Sequence, residues 1–532
     1  KAWEWCKDSI YGGLAKNAYF EFLFKYNDSK KAVTFADLKG KVEIEDSNIN
    51  YLGELPVVKN FYGTADFSND SIYIKVDKGV ADGVIVSDGF VHLYDLGSEH
   101  NMIKIRLIGN SSIKDALNFI DHKPLDFAKD LGINPQKVSG DVDVNLVLAF
   151  ELKSDITNKD VEVEVTADLH NLEIADIADK KPLKAEKLEL VVDNNGFRLF
   201  GNAVFDEIPL KLNLSEDFHS AKYKSKYDVS FKFDDFVKKK FGIDFDILGG
   251  DYASGYADVN ASVLVYDNKK ADIEVEADLQ NMRMNYGFFG FVKTIKEPAR
   301  LSAKISAKNG KITKVDKFEL AKTDFSMVGN ISVDAKTSKI TTIDISKIKS
   351  PKMNAKAKIE MKTKPTNKVV VNISGYSYDL TELFAKHSKL QSNSEQIAMI
   401  KNSDWEDGIS TDIDVFAAVS NLWTNPEVQI KNFSGSVNIR KKIGINEAHI
   451  SGNYGNNQDI KMRLDYTPKQ NREHILSIDS NNAGTTLKVF GLYDYMRGGN
   501  LKIEARRDKN KNFYGHAQIR NFSIQNTPLM AK

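Results

Sequence analysis

Any acid–base, nucleophilic or metal chemistry in this chain would have to come from a thin set of side chains. Nine histidines are scattered along it: His92, His100, His122, His170, His219, His387, His449, His474 and His516. None belongs to an H-x-H or H-E-x-x-H pattern, the spacings that aim two imidazoles at one zinc ion. His92 and His100, the closest pair by number, suit a polar face better than a metal site. The single cysteine, Cys6, permits neither an internal disulfide nor a cysteine-rich metal site, and no histidine stands near it. Paired acids such as Asp141/Asp143 and Glu162/Glu164 have the composition of a glycosidase dyad. At i, i+2 on a strand, however, they share one solvent face, as solubility requires. Gly12-Gly13, Gly249-Gly250 and Gly498-Gly499 lack the Lys-Ser/Thr that completes a phosphate loop, and G-x-S-x-G is absent. Tyr252-Ala-Ser-Gly-Tyr256 reads as a turn entering a strand. The expectation is no enzyme: no catalytic residues, no metal and no cofactor.

Composition narrows the partners. With 74 Lys+Arg against 74 Asp+Glu the net charge is zero, and no basic stripe of the kind nucleic acid requires is present. The densest basic run, Lys238-Lys239-Lys240, reads as a solvated helix face. At 532 residues the chain exceeds one ordinary core and implies several domains or a repeating array. No stretch approaches the ~18–20 apolar residues of a membrane-spanning helix. The sequence opens at Lys1 without Met and stops at Lys532, and reads as a portion of a longer protein with room for an anchor before Lys1.

The elements that must position any function are strands. From Val142 to Leu152 every even position is apolar, while Asp141, Asp143, Asn145 and Glu151 fall on the other face. Such alternation buries one side of a sheet and wets the other. It returns in Val161–Leu169, Ile273–Leu279, Ala355–Met361 and Thr411–Val415. Helical spacing is confined to Ala2–Ala15, Ile113–His122, Leu125–Leu131, Asp234–Phe241 and Leu380–Ile400. Asp193-Asn-Asn-Gly196, Asp267-Asn268, Lys308-Asn-Gly310 and Tyr454-Gly-Asn-Asn457 supply turn residues suited to positive φ, and so predict hairpins and an antiparallel meander. The polar stretch Ser388–Asp404 reads as a mobile insertion.

The pattern repeats at larger scale. Val163–Leu172 aligns without a gap on Ile273–Met282, and Gly140-Asp-Val-Asp-Val-Asn145 matches Gly255-Tyr-Ala-Asp-Val-Asn260. Repeats of this length imply units that stack on their neighbours. Soft boundaries follow: 1–124, an N-terminal helix and first groove segment; 125–234 and 235–378, repeat units; and 379–532, a C-terminal segment with a helical insert. The expected fold is all-β with short helical inserts, an elongated, twisted antiparallel meander folded into a U-shaped groove. An apolar face continuing through many hairpins, with few helices to cap it, must fold on itself or line a trough. A trough gains ~0.8 kcal/mol for each buried CH₂ of a lipid tail and needs no specific binding residue. The residues expected to line it are Val142, Val144, Leu146, Leu148, Val163, Val165, Leu169, Val275 and Leu279.

Several segments, in order along nearly the whole chain, resemble the AsmA-like bacterial envelope proteins, most closely the YhdP-type branch. They are Lys1–Gly13 running into Ala18-Tyr-Phe-Glu-Phe, then Tyr51-Leu-Gly-Glu-Leu-Pro-Val-Val, Asp126–Gly140 and Phe288-Phe-Gly-Phe with Lys293 and Glu297-Pro-Ala299. Gly375-Tyr-Ser-Tyr-Asp-Leu, Leu492–Leu501 and Phe522-Ser-Ile with Pro528 complete the set. The resemblance implies a bridge-like lipid-transfer protein of the periplasm, anchored in the inner membrane and moving phospholipid toward the outer membrane. It implies acyl chains as ligand, contact with both membranes through segments beyond this sequence, and no catalytic residues to carry over. The resemblance implies that the family's anchor would precede Lys1 and that further family sequence would follow Lys532. The alternative is a non-transporting scaffold of the envelope with a closed β core. A polysaccharide-active β-protein is disfavoured by dispersed Tyr and Phe, and an outer-membrane barrel by the lack of aromatic girdles.

Overall fold

A computed structural model describes residues 7–50, 55–122, 134–153, 156–157, 160–178, 180–240, 252–337, 339–363, 367–381, 411–441, 443–455, 460–470, 473–490, 492–510 and 512–525. Two compact units divide the chain. Unit 1 is Lys1–Phe231 with Ser262–Asp267, and unit 2 is Lys232–Ala261 with Asn268–Lys532.

Unit 1 begins with β1 (Ile10–Tyr11), β2 (Leu14–Asn27), β3 (Ala32–Ile49), β4 (Val58–Phe67), β5 (Ile72–Ala81), β6 (Val84–Tyr94) and β7 (Met102–Ser112). Helix α1 (Ile113–Ile120) follows, then β8 (Val138–Glu151), β9 (Glu162–Ala178), β10 (Lys181–Asp193), β11 (Gly196–Phe205), β12 (Ile208–Asp217) and β13 (Ser225–Phe233). From β2 to β13 each strand pairs antiparallel with the next. The ladder is the meander that the alternation predicts.

Unit 2 holds helix α2 (Asp235–Lys240), β14 (Ala253–Gly255), the first part of β15 (Ala257–Val265, whose residues from Ser262 on belong to unit 1), β16 (Lys270–Asp278), β17 (Met282–Tyr286), β18 (Phe291–Lys293), β19 (Ala299–Lys308) and β20 (Lys311–Lys322). It continues with β21 (Phe325–Val333), β22 (Ile340–Ser350), β23 (Met353–Lys362), β24 (Lys368–Asp379), β25 (Asp412–Trp423), β26 (Gln429–Arg440) and β27 (Gly444–Tyr454). β28 (Lys461–Pro468), β29 (His474–Ser480), helix α3 (Ala483–Val489), β30 (Met496–Arg507) and β31 (Phe513–Ile524) end it. β14, β17 and β18 form a small sheet of their own.

Three expectations need correction. The helical spacing over Ala2–Ala15 does not continue past residue 9: Ile10–Tyr11 and Leu14 onward are strand. Gly12 and Gly13 sit at φ +71° and +70°, a left-handed pair that no helix tolerates and that glycine adopts freely. The meander is also not wholly antiparallel, because β24 and β25 pair in parallel, Val370 beside Asp414 and Gly375 beside Val419. Residues 380–411 join them, long enough for the crossover a parallel pair requires. Finally, the Asp193–Gly196 hairpin needs no positive φ. Asp193 Oδ1 accepts from the backbone N–H of Asn195 at 2.7 Å and of Gly196 at 3.0 Å, closing the turn with its own carboxylate. At Asn309-Gly310 both residues do take positive φ, 52° and 73°. The helical readings over Leu125–Leu131 and Leu380–Ile400, the insertion at Ser388–Asp404, and Cys6 lie outside the described residues apart from Leu380 and Thr381.

The repeat is visible as geometry. Gly140 (φ +117°) lies against the backbone oxygens of His170 and Asn171, and Gly255 (φ +103°) lies against that of Asn281. A Cβ at either glycine would collide with main chain. In both copies the aligned Gly therefore lies against the backbone oxygen of the aligned Asn, in the large sheet for Gly140 and in the small sheet for Gly255. In unit 1 the Gly140 contact is part of a line of bulges. Register slips between Ser139 and Asp141 where β8 meets β9, and between Lys184 and Leu188 where β10 meets β11. Asn171 adds φ +51° in mid-strand. Another line crosses β2, β3 and β4 at Asn17, Asp46 and Asn60, whose φ values are 47°, 53° and 50°. Each bulge bends its strand and increases local twist, so bulges on adjacent strands bend the sheet along a line.

Candidate functional site

The two faces of unit 1 differ in chemistry. Across β8 and β9 the register sets Leu148 beside Val163, Leu146 beside Val165, Val144 beside Ala167 and Val142 beside Leu169. Seven of the expected lining residues (Val142, Val144, Leu146, Leu148, Val163, Val165 and Leu169) are thus brought onto one surface. The same face continues to β7 through Ile105 and Leu107, and to β10 through Leu188, Leu190 and Val192. β11 and β12 extend it with Leu199 opposite Leu214 and Ala203 opposite Leu210. These last residues were not singled out in the sequence, although Leu210-Lys-Leu212-Asn-Leu214 carries the same period of two.

Burial along this face is graded. Helix α1 lies at one edge, with Ile113 and Leu117 packed among Val138, Val142, Leu172 and Leu188. Its N-terminus is fixed by Ser112, whose hydroxyl accepts from the Asp115 N–H at 3.1 Å and donates to the Asp115 carboxylate at 2.7 Å. Under it Leu188 is fully buried and Val142 is 6% exposed. Away from it Val144, Leu169, Leu190, Leu199, Leu210, Leu214 and Val229 are only half-buried. The substantial contacts of β8–β12 are with ladder neighbours and α1. Toward β3–β7 the face becomes a dense core, with Phe61, Leu93, Ile103 and Ile105 almost fully enclosed.

The opposite face is charged and wet. Lys184 pairs with Glu173 at 3.0 Å, Lys187 with Asp168 at 2.9 Å and His170 with Asp143 at 3.1 Å, all across adjacent strands. Such exposed pairs contribute little to stability, because water screens them, and mainly keep one face in water. His100 with Glu151 (2.8 Å) and His122 with Asp82 (3.3 Å) are further pairs of the same sort. Among the described residues no group of three His, Cys, Asp or Glu could hold a metal ion.

In unit 2, Val275 sits half-buried on β16 beside Ala303, flanked by Ile273–Ile305 and Ala277–Leu301. Leu279, just past the strand, is buried, its N–H donating to the Ala299 carbonyl at 2.9 Å. The small sheet β14–β17–β18 is built around Lys293. That side chain is almost wholly buried, and its ammonium donates to the carbonyls of Leu279 (2.8 Å), Met282 (2.5 Å) and Thr294 (3.0 Å). Burial pulls its pKa below the ordinary lysine value. Two family-like segments meet nearby. The hydroxyl of Tyr378 donates to the Phe288 carbonyl at 2.8 Å, and Phe291 packs on Phe325 with ring centres 5.0 Å apart. These contacts close over Phe325, Met353 and Tyr378 at the ends of β21, β23 and β24. At β29–β30, α3 covers Ile478, Met496 and Leu501 in the same manner.

The open concavities of unit 2 lie on the polar face. One, about 550 Å³, is lined by Ser374, Phe416, Ser436, His449 and Asp465 among others; a second, about 710 Å³, by Asn432, Arg463, Asp479, Lys502 and Arg520 among others. His449 bonds Asp465 at 2.7 Å and Glu447 at 3.1 Å, and these carboxylates hold its pKa above the usual histidine range. Walls of serines, amides and ion pairs suit water.

A family described as YhdP protein matches residues 1–470. No curated protein and no solved structure matches the chain. No described helix is long and apolar enough to cross a membrane. The match covers most of the sequence, and the chain belongs to the YhdP family, the AsmA-like/YhdP branch of bacterial envelope proteins.

Proposed function

We propose that the chain binds phospholipid by its acyl chains along the apolar strand faces and passes it between the inner and outer membranes, acting in the periplasm as a non-catalytic conduit. The observation that carries this reading is the incomplete burial of Val144, Leu146, Val165, Leu190, Leu199 and Leu214, which share one face of adjacent strands backed by a charged face. A closed core would bury such residues as fully as Leu93 and Ile103 are buried. Each methylene shielded there is worth ~0.8 kcal/mol, so affinity is spread along the lining and no single residue is decisive. Membership of an envelope family supports the location, and an anchor outside this sequence would supply the membrane contact.

A photo-crosslinking amino acid at Leu190 tests the reading against Glu189, its neighbour on the wet face. Expressed in a bacterial envelope, Leu190 crosslinks phospholipid and Glu189 does not. Equal labelling at both, or none at Leu190, assigns the face to a closed scaffold core instead.

A further inference from the structure

β3 is longer than the strand that follows it. Only Gly40–Ile49 finds partners on β4, so Ala32–Lys39 is laddered to β2 alone. The far halves of β2 and β3 therefore form a two-stranded ribbon that extends past the sheet, with the outer edge of β2 unpaired among the described residues. Every residue of β2 is exposed.

Register sorts the ribbon into two faces. Phe22 opposes Leu38, Phe24 opposes Phe35 and Tyr26 opposes Val33, all on one side. The other side carries Glu21, Leu23 and Lys25 opposite Lys39, Asp37 and Thr34. On the apolar side Phe22, Phe24, Tyr26 and Val33 are 56%, 57%, 62% and 65% exposed, values far outside a packed core. That side is continuous with the apolar face of unit 1. The Phe20 ring lies 5.6 Å from Phe67, which packs on the β3–β9 core, and Phe24 meets Phe35 edge-on at 5.9 Å. At the tip, Lys25, Lys30 and Lys31 outnumber Asp28, and none of the three has an ion-pair partner among the described residues.

A ribbon with one aromatic face and an uncompensated cationic tip matches the polarity profile of a lipid interface. Aromatic rings favour the head-group boundary, and lysines are drawn to anionic head groups. A bare apolar edge in water is otherwise an aggregation hazard. We propose that the β2–β3 ribbon docks in the interfacial layer of an anionic phospholipid bilayer, with Phe22, Phe24 and Tyr26 against the acyl chains and Lys30 and Lys31 among the phosphates. The contact stands on the ribbon alone; as an entry route for lipid it rests on the function proposed above.

The test is flotation of the 532-residue chain with vesicles of phosphatidylethanolamine and phosphatidylglycerol, beside vesicles of phosphatidylcholine. The chain floats with the anionic vesicles. The triple variant Phe22→Ser, Phe24→Ser, Tyr26→Ser and the double variant Lys30→Glu, Lys31→Glu each bind them about tenfold more weakly, with unchanged thermal unfolding. A Phe24→Trp variant gives a blue-shifted emission on mixing that brominated lipid quenches, a readout independent of the triple variant's folding. The proposal is overturned if the chain does not float, if the triple variant floats equally well, or if that variant instead abolishes self-association, which would make a second copy the occupant. Leu146→Asp with Val165→Asp separates the two readings. It removes co-purifying lipid yet leaves flotation intact, whereas the ribbon variant does the reverse.

Discussion

Asp414 shows how single residues hold these sheets together. It lies on β25 where the ladder turns parallel, and it is buried. Lys368 Nζ reaches one carboxylate oxygen at 2.7 Å, while Arg440 at 2.6 Å and Asn438 at 3.0 Å reach the other. Burial alone would raise its pKa, but the two cations and their hydrogen bonds hold it below the usual aspartate range. A lowered carboxylate pKa stabilises above the unfolded value of about 3.9 and loses that contribution as pH falls through the folded value. Asp414→Ala leaves two half-buried cations facing each other, and costs about 2 kcal/mol by denaturant titration. A cost near zero would mean that water replaces the carboxylate without penalty. His449 titrates in the opposite sense. Its raised pKa gives a contribution fully present below about pH 6.5 and lost as pH rises through the folded value. The melting temperature therefore declines over that interval, and His449→Asn flattens the decline. An unchanged profile would remove the Asp465–His449–Glu447 cluster from the account.

At the scale of elements, strand identity was legible and strand curvature was not. The alternation Val142–Leu152 fixes which side chains share a face, because a strand has no other period. Bulges leave a weaker trace, since Asn171 at φ +51° stands in a sequence that otherwise reads as regular strand. Only the paired repeat, with Gly140 near Asn171 and Gly255 near Asn281, hints at them. Gly140→Ala tests their importance, because its Cβ would stand 2.6 Å from the His170 carbonyl oxygen at a left-handed φ. A loss of about 2 kcal/mol is expected, against a few tenths for an ordinary exposed glycine. The ribbon was misread near its base, where helical spacing over Ala2–Ala15 obscured the start of β2. Alternating Phe20, Phe22, Phe24 and Tyr26 was the available strand signal. The parallel β24–β25 pair could not be read at all, because hairpin signals describe neighbours in sequence and the pair is joined by residues 380–411. The polar concavities were equally hidden, because their walls come from residues on several strands far apart in sequence.

For the whole molecule, each unit separately repeats one device: a one-sided sheet whose apolar face is sealed at strand ends by short inserts and left half-exposed between them. α1 does this in unit 1, and the β14–β17–β18 sheet and α3 do it in unit 2. On the proposed function, affinity is spread over the face, so substitution of one lining residue by alanine is expected to leave lipid uptake nearly unchanged, while a buried charge is expected to interrupt it. The family resemblance was readable because it rests on several short segments in order rather than on one catalytic motif, and the family match bears it out as far as residue 470, short of the segments at Leu492–Leu501 and Phe522. The most direct measurement is native mass spectrometry of the purified chain with head-group identification of whatever it carries. The account predicts several bound phospholipids per chain, lost in Leu146→Asp with Val165→Asp while the strand content is kept. A chain that emerges free of lipid and takes up no fluorescent phospholipid would contradict it, and the half-exposed face would then be the surface of a scaffold.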